Sequence, residues 1–192
     1  MSITVEWLNP RDLIPHEDVI LSNVETVIRC IKRGKSISPV IADSASRVIL
    51  DGHHRTFASI KLGLTKVPVI LLDYSSPSIH VDRWLRKIGD LGIAELLLPK
   101  SLGNICVRIG SKKLCANSPY SLYWKLQQFE SHLKSIGINV IKNSESGIIP
   151  PQLQKNYIVN IALRGLRFPP KTTRHTYNFI IPRERVSINA YY

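Results

Sequence analysis

Cysteine is scarce in this chain of 192 residues, with three in all, and no set of Cys and His stands at zinc-binding spacing. His53 and His54 are adjacent rather than four apart, which excludes the helical metalloprotease pattern. No apolar run approaches the ~20 residues of a bilayer-spanning helix. The stretch MSITVEWLNPRDLIPHEDV carries early acidic residues and no apolar signal core, so a soluble, cytoplasmic protein is expected. Neither a GxxxxGKS/T loop nor a GxGxxG fingerprint occurs, which leaves P-loop and Rossmann sites without support. There is no internal repeat and no low-complexity tract. Acidic residues are also few: 14 against 26 Lys and Arg, a net charge of +12.

That charge suits a polyanionic partner such as a nucleotide, a phosphorylated metabolite, nucleic acid or an anionic surface. The cations are scattered, with modest concentrations at 32–35, 112–113 and 164–174, and scatter of this kind also describes an ordinary solvated face. Hydrophobic residues make up 44% and charged residues 21%, a globular composition for one domain, or a core with an appendage.

Residues 3–7 alternate and predict a strand. Ser22-Asn23-Val24-Glu25 reads as a capping box opening a helix whose apolar positions are Val24, Val27, Ile28 and Ile31, with Gly34 at its end. Two strands, 39–43 and 47–50, flank Ser44-Ala45-Ser46 as a hairpin. The sequence DGHHRTFASIKLG then turns into a short helix ended by Gly63, and 67–72 reads as a buried strand. Beyond Asp73, helices are predicted around 79–87 and 91–98, and a hairpin over 105–116 turning at Gly110-Ser111. Ser118-Pro119 is an N-cap and first-turn signal for a helix to about Ser135. A strand at 138–141, a helix over 152–166, a proline-rich polar loop FPPKTTRH and a strand at 177–181 complete the pattern. The fold class is mixed α+β. The first half reads β-α-β-β-α-β, a core over 1–75, with 76–192 as an α+β elaboration that would hold the substrate and act as a lid.

In the 105–116 hairpin a two-residue turn pairs Ile109 with Lys112 and, counting outward, Cys106 with Cys115 at a non-hydrogen-bonded position. Their Cα atoms would approach to ~4.5 Å, within disulfide reach. A reducing cytosol argues against the bond, but intracellular proteins of hyperthermophiles are an exception, so the expectation is that the sulfurs are neighbours, with the bond itself left open. Cys30 is left as a buried thiol on the first helix.

Chemistry concentrates at Asp51-Gly52-His53-His54-Arg55. An apolar strand hands over there to a helix whose first N–H groups have no intrahelical partner, a ready anion site. Gly52 allows positive φ or close backbone approach. The imidazoles of His53 and His54 and the Arg55 guanidinium could take phosphate oxygens. Asp51 could hold Mg²⁺ or orient a nucleophile. The plainer alternative is a capped helix with exposed histidines.

The pattern PVIADSASRVILDGHHRTFASIKLGLTKVPV resembles the ParB/sulfiredoxin superfamily, and DGHHR is similar to the archaeal free serine kinases, which make O-phosphoserine from L-serine. LIPHE at 13–17, Trp84, and Thr173-Arg174-His175 support the closer resemblance. A sulfiredoxin would need a Cys beside the His-Arg pair, where this chain has His. The resemblance implies a ParB/sulfiredoxin-like core that takes ATP or ADP, with Mg²⁺, on Gly52, His53, His54 and Arg55. It implies Glu17 as the base for the serine hydroxyl with Asp51 close by, and Trp84, Thr173, Arg174 and His175 around the serine. On residue type alone, Glu17 also suits a helix-opening acid, Trp84 ordinary packing and 173–175 a solvated basic loop. The partners implied are L-serine and a nucleotide, with neither membrane nor nucleic acid expected. The alternative is a ParB-like DNA-binding or nucleotide-switch module.

Overall fold

A computed structural model describes residues 4–188. Its contacts divide the chain into two units. The first holds the described residues through His80, then Lys155–Pro170 and His175 onward; the second holds Val81–Gln154 and Lys171–Arg174.

The first unit is built on a four-stranded sheet ordered β1-β5-β3-β4, from β1 (Val5–Leu8), β3 (Val40–Asp43), β4 (Ile49–Asp51) and β5 (Val67–Leu72). Strands β1 and β5 pair antiparallel, β3 and β5 parallel, and β3 and β4 form the predicted hairpin. Asp43 makes that turn: its Oδ2 accepts from the Ser46 amide (2.9 Å) and hydroxyl (2.6 Å), while Oδ1 accepts from the Tyr74 amide (3.1 Å). Helices α1 (Leu21–Gly34) and α2 (His53–Lys61) contribute to a core of Val24, Ile31, Val40, Ala58, Val67 and Val69. The short pair β2 (Ser36–Ile37) and β12 (Val186–Ser187), and α5 (Lys155–Leu163), belong to the same unit.

The second unit contains β7 (Leu85–Ile88), α3 (Leu91–Leu97), the hairpin β8 (Ile105–Ile109)–β9 (Lys112–Ala116), α4 (Pro119–Ser135) and β10 (Val140–Asn143). Strands β7 and β10 pair antiparallel. Leu122, Leu126, Phe129 and Leu133, at helical spacing on α4, pack with Val107, Ile109 and Leu114 of the hairpin. Ser118 caps α4 by accepting from the Ser121 amide, with Pro119 in the first turn as predicted. The division between units falls inside β6 (Ile79–Arg83) and β11 (Thr173–Tyr177).

Several local expectations are corrected. Residues 79–88 form two strands, not a helix; the burial of Ile79 and Val81 alternates with exposed His80 and Asp82, a period of two. Trp84 therefore lies between strands. The capping box does not form, because α1 begins at Leu21 with Ile20 as N-cap and Ser22 is already inside the helix. A tertiary acceptor replaces it: His54 Nε2 takes the Ile20 amide at 3.0 Å. Residues 173–177 are a strand rather than a loop, ahead of the predicted 177–181. Cys30 is exposed, not buried. The first strand spans Val5–Leu8; Ile3, where it was expected to begin, lies outside the described residues. The hairpin register is as expected, with Cys106 opposite Cys115 at a Cα separation of 4.1 Å, and the two are disulfide-bonded.

Candidate functional site

Gly52 sits between β4 and α2 with φ +113°, a left-handed conformation that glycine adopts without strain. A Cβ there would stand 3.1 Å from the Arg55 guanidinium and 3.2 Å from Val40 Cγ2. No side chain caps α2 at Gly52, and the first backbone bond of the helix is Thr56 N–H to Gly52 O. The amides of His53, His54 and Arg55 therefore precede the first intrahelical bond, as an anion site requires.

Arg55 is held in place. Its Nη1 donates to Pro39 O at 2.8 Å, and its Nη2 lies 3.1 Å from Asp51 Oδ1. Asp51 Oδ2 meets a second guanidinium, that of Arg183, at 3.3 Å. Both Asp51 oxygens are thus occupied by arginines. Among the described residues no group of three or more His, Cys, Asp or Glu converges as a metal site. This donor set does not fit a protein-held Mg²⁺, which takes one or two carboxylates free to face the ion.

The segment 14–18 is fastened beside this junction. Ile14 N–H donates to Arg47 O, Phe168 N–H to His16 O, and Asp18 N–H to Phe168 O. His53 supplies the decisive anchor: its Nε2 faces the His16 and Glu17 amides, each at 3.3 Å. With the Ile20 amide on His54, both histidines of the motif use Nε2 as acceptors and position the loop that carries Glu17. An imidazole accepting through Nε2 is neutral.

Glu17 is buried, at 8% exposure, with Oε1 3.7 Å from His16 Nε2. Behind it lies a chain of imidazoles. The His16 ring meets His53 edge-on at 4.5 Å and His175 edge-on at 5.6 Å, and the Tyr74 hydroxyl lies 2.7 Å from His175 Nε2. Burial, with the neighbouring His175, lowers the His16 pKa to about 3; burial, with His53, lowers His175 to about 3. Burial also pulls His53 well below its ordinary value. Tyr74 is raised by burial and keeps its proton. Lys155 Nζ stands 5.4 Å over the Tyr74 ring and donates to Ser76 O at 2.6 Å.

Of the residues singled out from sequence, Glu17, Asp51, Gly52, His53, His54, Arg55 and His175 belong to the first unit. Trp84, Thr173 and Arg174 belong to the second, where they form their own cluster. Trp84 Nε1 donates to Thr173 O at 3.0 Å, and the cations of Lys171 and Arg174 lie 5.3 and 5.9 Å from its ring centre. His16, Tyr74 and Arg183 were missed as site residues. His16 was within reach, since it stands in LIPHE beside Glu17. Tyr74 follows a largely buried strand, a weak signal for a buried hydroxyl, and Arg183 reaches Asp51 through a tertiary contact with no local sign.

No protein-family model matches the chain. A ParB-like protein from Sulfolobus acidocaldarius is 44% identical over 189 residues, covering 95% of each chain. An ATP-dependent L-serine kinase from Staphylothermus marinus is 26% identical over 216 residues, covering 88% of this chain and 83% of the relative. Among solved structures, a free serine kinase in complex with AMP superposes with a TM-score of 0.82 at 20% identity, covering 100% of this chain and 95% of the other. SbnI from Staphylococcus aureus, truncated at its C-terminus, gives a TM-score of 0.77 at 15% identity over 96% and 87% of the two chains.

Proposed function

The chain belongs to the ParB-like family, and from that premise we propose that it is a nucleotide-dependent kinase of free L-serine. It would transfer the terminal phosphate of ATP or ADP to the serine hydroxyl, giving O-phosphoserine. The observation that carries this reading is the anchoring of the segment bearing a buried carboxylate, Glu17, by the first residue of a helix whose N-terminus no side chain caps. Phosphoryl transfer to an alcohol needs those two parts side by side: preorganised donors for the phosphate and a base for the hydroxyl proton. The serine kinase from Staphylothermus marinus and the fold shared with a nucleotide-bound serine kinase support it.

In this reading the transferred phosphate lies on the α2 amides, with Gly52 permitting the approach and the Arg55 guanidinium meeting the charge. The serine oxygen forms its bond to phosphorus as the nucleotide's terminal P–O bond breaks, and the hydroxyl proton passes to Glu17. His53 and His54 are positioning residues, holding the Glu17 loop against the helix. Asp51 orients Arg55 and Arg183. Trp84, Thr173, Arg174 and His175 are the residues we assign to the amino acid.

The test pairs ATP and ADP with serine, homoserine and threonine and detects product by ³¹P NMR. O-phosphoserine formed with at least one donor is the expected result. The net charge of +12 favours a second reading, a DNA-binding or nucleotide-switch module. Thermal stabilisation by duplex DNA, with no turnover for any donor–acceptor pair, would replace the first reading with the second.

A further inference from the structure

The second unit carries a separate cationic groove. It has a volume of about 870 Å³ and is lined by Lys100, Lys112, Lys113 and Lys125 with no acidic residue among its walls. The four lysines come from three elements: the loop after α3, the strand β9, and α4. Leu98 and Leu102 supply apolar wall, and Leu102 is 90% exposed. Glu95, beside Lys112, is already committed to the Ser111 amide and hydroxyl.

The hairpin register builds the floor. Ile109 and Lys112 close the turn, so Lys113 and Cys115 fall at non-hydrogen-bonded positions, where backbone N–H and C=O point away from β8. Cys115 shows this directly: its N–H donates to Ser101 Oγ at 2.8 Å, and its carbonyl accepts from Lys125 Nζ at 3.0 Å. These two bonds set both the loop at Ser101 and the helix at Lys125 along the β9 edge that faces away from β8. The Lys113 amide, two residues earlier on that edge, points the same way. The disulfide between Cys106 and Cys115 locks the strand at this point.

We infer that this groove is a second anion site, for a phosphate-bearing small molecule of nucleotide size. The volume lies in the range of small-ligand pockets. Ammonium groups supply compact charge for a phosphate chain, the Lys113 amide adds an oriented donor, and the leucines offer a face for the apolar part of the ligand. The site stands on unit-two residues alone and does not depend on the kinase reading.

The test is an amide chemical-shift titration of the full chain with tripolyphosphate and, separately, ADP. Saturable shifts at Ser101 and Lys113 are expected, together with at least tenfold weaker binding in K112Q/K113Q and in K100Q. Turnover of both variants should match wild type, since these lysines lie outside the proposed catalytic residues. Shifts that never saturate, or affinities unchanged in both variants, would overturn the site. Tighter binding of duplex DNA or phosphatidylserine vesicles at the same amides would overturn the small-molecule assignment. Loss of turnover in the lysine variants would overturn the separateness of the site, whereas absence of turnover in the unmodified protein with these shifts intact would count against the kinase reading alone.

Discussion

In the first unit a buried His16 and half-buried His53 and His175 are held as neutral rings, whereas in the second Arg86 and Glu130 are buried as ions. Arg86 and Glu130 are each 1% exposed, joined through Nε and Oε1 at 2.8 Å, with Lys142 3.4 Å from the second Glu130 oxygen. Arg86 also donates to Trp84 O and lies 5.4 Å over the Tyr123 ring. Both units face the same desolvation penalty. The imidazoles avoid it by giving up their protons, which leaves a ring nitrogen as an acceptor for backbone amides. The Arg86–Glu130 pair keeps its charge and offsets the penalty by pairing. The first solution holds a buried carboxylate beside a helix N-terminus that no side chain caps; the second yields a fixed internal strut.

Acid should break the comparison most strongly. The folded-state pKa values of His16 and His175 are lowered to about 3 from 6.5, so below pH 6.5 the unfolded chain binds more protons than the folded one. Stability is fully present above pH 6.5 and is lost as pH falls toward the folded values. At about 1.4 kcal/mol per proton and pH unit, the loss between pH 6.5 and 4.5 is on the order of 5 kcal/mol. Protection factors for α2 amides should fall over this range while those for α4 persist; equal loss in both would contradict the contrast.

The ionic strut is tested next. Glu130→Gln leaves Arg86 buried without its anion and should destabilise the protein by about 3–5 kcal/mol in urea denaturation. The double replacement R86M/E130L, which removes both charges, should restore most of that loss. Reduction of the Cys106–Cys115 bond, which closes a short loop, should lower stability by about 2–3 kcal/mol on the chain-entropy view. A midpoint unmoved by reductant would show that the hairpin is held by pairing alone. His53→Ala removes the acceptor of two amides and should cost about 1–3 kcal/mol, less than the strut. Its effect on turnover should exceed its effect on stability, because the Glu17 loop loses its anchor.

Much of the framework could be read from local patterns. The 105–116 hairpin was legible because its turn residues, Gly110 and Ser111, fix the register and so the meeting of Cys106 with Cys115. Helix α4 was legible because Ser118-Pro119 states its start and the leucines state its face. The segment 79–88 was misjudged because Trp84 and neighbouring charges mask a two-residue period that only burial makes plain. The DGHHR junction could be placed from the strand-to-helix change, but not the use of its histidines. That His53 and His54 spend Nε2 on the amides of residues 16, 17 and 20 is a tertiary fact, and no local pattern announces this supporting use of their rings. The capping box failed because the helix starts one residue before Ser22, and the amide of its actual N-cap, Ile20, goes to His54. Tyr74 escaped notice because a buried neutral polar group leaves no charge pattern in a sequence, whereas His16 stood in view in LIPHE and lacked only a role.

The central claim is that Glu17, held by His53 at an anion-ready helix, takes the proton of a serine hydroxyl. Glu17→Gln keeps the shape and the backbone anchor but cannot accept that proton, so it tests the claim most directly. With serine and the better nucleotide donor, kcat should fall by about 10²-fold or more while nucleotide affinity stays within twofold of wild type. Turnover that survives with only stability lowered would contradict the claim and reduce Glu17 to a structural acid.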